Sequence, residues 1–385
     1  MNRLKIAIET STSCVGKCVG CVLTPLEKSS STPPIKATDL KDFFTRVAAL
    51  YEGLLNIDGK NHEMVVIELV IGEHFSFNDD YFHSLCKEIK VFLTGTQRSY
   101  IVAISTSGLM AETKMLQKIS ILGEYFSKSK LEVHLVCNLN QFARYRDKYE
   151  KSLQIYKTYF GHINILTNFD NQLEMGSCNL FSKFLARHKI TDVQLVYGLK
   201  SHNFEKISES KKLFFQVHEK IFNALSPTHR AFDISEGLNY CDETTFSMKE
   251  LICNASEKIV NKQVFISHTG DIHYILPTMI GGIELDSRAG FSPITNIFNS
   301  NFVEEYISSR AILARDLLKI FIKSNICISC EHSGVCYSTG VPLLKDLIFS
   351  KDSCHNPLLP FYENKTAIKE KYDYIKLEDW SKKFN

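Results

Sequence analysis

Apolar positions recur along this chain with two alternating periods, and its first half reads as strand, helix, strand, helix. Leu4 to Ile8 is a short apolar run with strand character. After a Ser/Thr/Pro-rich connection, Ser29 to Pro34, the residues Leu40, Phe43, Val47, Leu50 and Leu54 return at helical spacing, with Thr38 placed to cap them. Further strands are predicted over Met64 to Val70, Tyr100 to Ser105, Leu131 to Asn138, Ile163 to Thr167 and Val193 to Tyr197. Helices fall between them, at about Asn78 to Phe92, Met110 to Phe126, Gln141 to Tyr159 and Leu180 to His188. Six strands, each followed by a helix or loop, imply a parallel sheet with right-handed crossovers.

The pattern changes past Asn223 to Ser226, which precede Pro227, and again at Asp242 to Thr245. These breaks divide the chain into an expected first domain, 1–225, and a second, 226–385. In the second, Gln263 to Ser267 and Ile272 to Leu276 flank His268-Thr269-Gly270-Asp271 as a β-hairpin, and Val303 to Ile322 reads as a long amphipathic helix.

With 385 residues the chain is long enough for two domains and a large core. Its net charge of +2, on 45 basic and 43 acidic residues, gives no electrostatic case for nucleic acid or an anionic membrane surface. The apolar runs are too short to span a bilayer, and nothing near the start reads as a signal peptide. The expectation is a cytoplasmic protein whose twelve cysteines are reduced and bind metal rather than form disulfides.

Three of those cysteines sit directly behind the first strand. Cys14, Cys18 and Cys21 are spaced C-x3-C-x2-C in a loop with two small glycines, Gly16 and Gly20. Three thiolates this close can converge on one metal centre, and a [4Fe–4S] cube held by three of them keeps one iron open for chemistry. Zinc normally shows paired C-x2-C knuckles with a fourth ligand, which this loop does not offer. A chance cluster of structural thiols is the remaining alternative.

The spacing and its place after the first strand resemble the radical S-adenosylmethionine (radical SAM) superfamily. The resemblance implies an α/β fold, a (β/α)6 partial TIM barrel with its site at the C-terminal strand ends. There the family holds the methionyl amine on a Gly-Gly-Glu-like turn. This chain has Ile71-Gly72-Glu73, so Gly72 and Glu73 fit and one Gly is replaced. Ser105 and Ser107, before Gly108, are similar to the family's Ser/Thr-x-Gly turn, and Asn138 ends the fourth strand where relatives place a Ser or Asn towards SAM. Arg144 and Arg146 fall on the next helix, where an Arg often meets the SAM carboxylate. Without the resemblance, these residues read as ordinary turn chemistry and a solvated helix face.

Cys327, Cys330 and Cys336 are spaced C-x2-C-x5-C, and Cys354 follows eighteen residues on. Four thiolates would close an iron–sulfur cluster or a zinc site, for which His332 could compete. This half resembles the SPASM extension of radical SAM peptide-modifying enzymes, which normally carries two auxiliary clusters. Ile275 and Gly340 stand where two ligands of the inner cluster would be, whereas Cys327, Cys330, Cys336 and Cys354 match the outer set. The resemblance therefore implies a small β-hairpin plus helix iron–sulfur domain with one auxiliary [4Fe–4S] cluster. Cys86, Cys137, Cys178, Cys241 and Cys253 fit no ligand spacing and read as core or surface thiols, with a displaced ligand pair the alternative for Cys241 and Cys253, which precede the hairpin.

The implied activity is reductive cleavage of S-adenosylmethionine to a 5′-deoxyadenosyl radical that abstracts a substrate hydrogen. The leading substrate is a ribosomally made peptide, cross-linked or oxidised; a small molecule such as a sugar alcohol is the alternative, and a non-catalytic metal scaffold a third reading. Implied partners are an electron donor such as flavodoxin or ferredoxin and a separate leader-peptide-binding protein. No catalytic acid or base stands out among the residues.

Overall fold

The computed structural model describes residues 3–10, 14, 29, 35–58, 62–169, 172–190, 192–197, 213, 216–217, 220–221, 230–231, 263–273 and 293–309. The alternating pattern folds as strand β1 (Arg3–Glu9), helix α1 (Leu40–Asp58), β2 (Met64–Val70), α2 (Asp79–Gly95), β3 (Ser99–Thr106), α3 (Glu112–Tyr125), β4 (Leu131–Asn138), α4 (Leu139–Tyr159), β5 (His162–Phe169), α5 (Met175–His188) and β6 (Asp192–Tyr197). Short strands β7 (Arg230–Ala231), β8 (Gln263–Ile266), β9 (Asp271–His273) and β10 (Thr295–Asn296) complete one sheet, ordered β10-β9-β8-β1-β2-β3-β4-β5-β6-β7. The run from β1 to β6 is parallel throughout, as the βα alternation predicts.

Side chains alternate across this sheet, so each strand serves two environments. Leu4, Ile6, Ile8, Val65, Ile67, Leu69, Val102, Ile104, Val133 and Leu135 turn to the helix-covered face and enter one large core. That core takes its helical share from residues such as Phe43, Val47, Phe82, Leu85, Leu122, Phe142 and Tyr156. Among the described residues, the opposite, inner face carries two small apolar groups, Ala7–Val70–Phe265 and Met64–Val66–Ala103. β2 is buried along its whole length, as suits a parallel strand covered on both sides.

Local chemistry sets the helix ends. Asn78 caps α2 by accepting the Tyr81 N–H at 2.8 Å, and Asp79 and Asp80 complement its first turn. Helix α5 begins at Met175, a turn earlier than the predicted Leu180, because Ser177, Cys178 and Phe181 bury one face despite weak helix formers there. Lys189 ends it in the left-handed region, at φ 50.

The hairpin forms where the pattern places it, with Gly270 at φ 85 in the turn. Its first strand does something local pattern does not reveal. β8 lies parallel beside β1, Lys5 opposite Gln263 and Ile8 opposite Ile266, so the hairpin prolongs the sheet on its β1 side. Helix 302–309 then packs on α1 at Gly53, where a Cβ would come within 2.4 Å of Val303 Cγ1. The breaks at 223–226 and 242–245, the later part of the predicted helix from Val303 to Ile322, and everything beyond residue 309 lie outside the described residues. No described helix is long and apolar enough to cross a membrane.

Candidate active site

The C-terminal ends of β1 to β5 form one edge of the sheet, and polar residues there bridge neighbouring strand ends in three groups. β1 ends in Glu9, which is buried. Its Oε2 accepts the ring Nδ1–H of His268 at 2.9 Å and the His268 backbone N–H at 3.2 Å. A carboxylate can only accept, so it sets the donating nitrogen of the ring. The pair fastens the hairpin turn to the strand that leads into Cys14, a half-buried thiol in no disulfide.

β2 ends in a turn with two successive left-handed residues, Ile71 at φ 63 and Gly72 at φ 78. Glu73, fully buried, follows. Its carboxylate accepts Thr106 Oγ1–H at 2.7 Å, Ser107 N–H at 2.9 Å and Ser107 Oγ–H at 2.6 Å, all from the end of β3. Burial raises the Glu73 pKa, against these hydrogen bonds. The Glu73 side chain therefore joins two turns, and the turn presents its backbone rather than its carboxylate. His74 adds a second stitch: its Nδ1–H donates to the Ser105 carbonyl at 2.8 Å, and burial lowers its pKa to about 4, so the ring is neutral.

The structure thus brings Gly72, Glu73, Ser105 and Ser107 together. Asn138 lies at the same edge, fully buried, its Nδ2 donating to Asn168 Oδ1 at 3.0 Å across the ends of β4 and β5. Arg144 and Arg146 make their contacts elsewhere: the Arg144 guanidinium lies over Tyr145, and Arg146 Nε binds Glu150 at 3.1 Å, which also receives Arg187 from α5. Cys18, Cys21, Cys327, Cys330, Cys336 and Cys354 fall outside the described residues. Cys86, Cys137 and Cys178, read as core or surface thiols, are buried. Among the described residues no group of three or more His, Cys, Asp or Glu is disposed to hold a metal.

Deeper on the inner face lies a charged row that the sequence pattern alone did not single out. Lys5 of β1 pairs with Glu68 Oε2 of β2, Glu68 Oε1 meets His134 Nδ1 of β4 at 2.6 Å, and His134 Nε2 meets Glu132 Oε1 at 2.6 Å. Register makes the row: Glu68 and Glu132 both lie opposite Ala103 on β3, whose single methyl leaves room for the imidazole. Burial alone would lower His134, but Glu68 and Glu132 outweigh it and push its pKa up to about 9. Burial alone would raise Glu68, but Lys5 and His134 hold it well below the usual carboxylate range. Burial likewise opposes ionisation of Glu132, whose pKa the hydrogen bond to His134 nevertheless lowers. Charges at inner-face positions of apolar strands are the signal that could have found this row.

This arrangement, parallel βα units with polar turns stitched along the C-terminal strand edge, defines an α/β protein of partial-barrel type. Solved structures share the fold. Streptococcus suis SuiB bound to S-adenosylmethionine matches with a TM-score of 0.55 and 15% identity, over 92% of this chain and 77% of that one. Native anSMEcpe with bound AdoMet matches at TM-score 0.61 and 14% identity, over 97% of this chain and 100% of that one. Its complex with AdoMet and Cp18Cys peptide matches at TM-score 0.59 and 14% identity, over 96% and 97%. At these identities the likeness is one of fold. Comparison with protein-family models finds no match, and comparison with curated proteins finds none either.

Proposed function

We propose that this chain is a radical SAM enzyme whose substrate is a peptide, modified by hydrogen abstraction and cross-linking or oxidation. One observation supports the reading: β1, which the C-x3-C-x2-C set beginning at Cys14 follows in sequence, ends opposite Val70 at the strand edge where the 71–73 and 105–107 turns are joined. Cys14 suits a cluster ligand, being a half-buried thiol, unlike the buried Cys86, Cys137 and Cys178. Cys14, Cys18 and Cys21 would hold a [4Fe–4S] cluster, and with S-adenosylmethionine bound the chemistry supplied there is one-electron cleavage to a hydrogen-abstracting 5′-deoxyadenosyl radical.

The chain's own residues bind and orient. The 71–73 turn offers its backbone to the methionyl end, with Glu73 held by Thr106 and Ser107 so that the turn is preformed before ligand arrives. Asn138 belongs to the same ligand-facing edge. Glu9 and His268 fasten the hairpin turn to the end of β1, the strand that precedes the cysteine loop in sequence. In this reading the chain divides at 225, and Cys327, Cys330, Cys336 and Cys354 hold one auxiliary [4Fe–4S] cluster in the second part. A reduced flavodoxin or ferredoxin would supply electrons. The peptide substrate is supported by the fold likeness to anSMEcpe, whose structure includes a bound peptide.

The test is iron and sulfide content after anaerobic reconstitution, with 5′-deoxyadenosine release under reduction. About eight irons per chain, falling to about four when Cys14, Cys18 and Cys21 are all changed to Ala, is the expected result. No iron in the native chain would overturn the reading; four falling to none would remove the auxiliary cluster alone.

A further inference from the structure

Ile71 occupies a backbone conformation that its side chain disfavours. At φ 63 the Cβ crowds the backbone, and for a residue branched at Cβ this is a clear outlier. Gly72 follows at φ 78 without that cost. Such strain persists only where the surroundings impose it. Before Ile71, β2 is held against β1, with Val70 opposite Glu9. After it, Glu73 is fixed by Thr106 and Ser107, and its carbonyl accepts Ser76 N–H at 3.0 Å and Ser76 Oγ–H at 2.6 Å.

The strain decides where the side chain goes. In a continued strand, residue 71 would face the helices, opposite to Val70. Instead Ile71, half-buried, packs against Ala7, Val70 and Phe265 on the inner face. A glycine would permit the same turn at no steric cost, so what the strained conformation secures is this aliphatic side chain at the rim of the strand-end site.

We propose that Ile71 is a specificity-determining residue of that site, forming an apolar wall against the S-alkyl group and methionyl methylenes of a bound adenosyl sulfonium ligand. The inference rests on the function proposed above. An apolar wall discriminates by size, and one extra methylene in such a pocket changes affinity by about 10- to 200-fold.

The experiment is equilibrium dialysis of the reconstituted full chain against S-adenosylmethionine and S-adenosylethionine, its S-ethyl analogue, without reductant. The native chain is expected to prefer the methyl ligand by at least about tenfold, and I71G to bring the two within about twofold. If I71G does not fold, I71V, which removes one methyl and keeps the branch, is expected to cut the preference about threefold. In the ligand-free chain, amides 264–266 of I71G should exchange faster, because Phe265 loses its neighbour. An unchanged preference, no preference in the native chain, or unchanged exchange at 264–266 would overturn the inference while leaving S-adenosylmethionine binding intact. A native chain that binds neither ligand would overturn it together with the function it rests on.

Discussion

The two faces of the sheet are built to different rules. Leu4, Ile67, Leu69, Ile104 and Val133 look onto helices and share one continuous apolar core. One residue away along the same strands, Glu68, Glu132 and His134 hold charge in burial, with the half-buried Lys5 at the end of the row. The first face closes the fold by removing apolar surface from water. The second draws little on the hydrophobic effect and depends on exact partnering, since a buried charge is tolerable only when paired. The lesson is that the inner face should be fragile to single changes that the outer core would answer by partial collapse.

The largest expected effect follows from that fragility. His134→Ala leaves Glu68 and Glu132 facing each other across Ala103 without the cation between them. It should cost about 3–5 kcal/mol in urea unfolding of the full chain. Replacing Glu68, His134 and Glu132 together by Leu should recover most of that loss, because the desolvation cost disappears along with the attraction. A triple variant as unstable as H134A would mean that the inner face needs charge for more than mutual neutralisation.

The same row gives stability a pH dependence. His134 is raised from 6.5 to about 9, so its contribution is complete below about pH 6.5 and is lost as pH rises through about 9. The shift corresponds to about 3 kcal/mol. His74, lowered to about 4 by burial, runs the other way, and its contribution is lost as pH falls from 6.5 towards 4. Glu68 and Glu132 also lose theirs in acid, as pH falls from their ordinary value through their lowered ones. Urea midpoints for the native chain should therefore peak near pH 6.5, and in H134A the decline towards pH 9 should vanish.

Much of the helix-covered face was legible because the pattern of apolar residues reveals it: Met64 to Val70 reads as a strand and is one, buried along its length. Glu73, Ser105 and Ser107 were legible as strand-end turns, since small polar residues and glycines end strands for local reasons. What escaped depends on register. Nothing local to Phe265 says that β8 lies beside β1, and nothing local to Glu68 says that Ala103 opens a path to His134. Ile71 was visible as the departure from a Gly-Gly-Glu turn, but its left-handed backbone and inner-face packing belong to the folded chain.

The smallest effect tests whether burial, rather than the kind of pair, sets the cost. Glu9–His268 repeats the carboxylate–imidazole contact of Glu68–His134, 2.9 Å against 2.6 Å, yet the His268 side chain is 39% exposed and that of His134 only 9%. In His268→Ala the backbone N–H of residue 268 still reaches Glu9, and water can replace the ring at the exposed turn. The loss should be no more than about 1 kcal/mol, with faster amide exchange confined to the turn 267–271. A loss approaching that of H134A would show that Glu9 behaves as a fully buried charge, and the division between strand-end rim and inner row would then disappear.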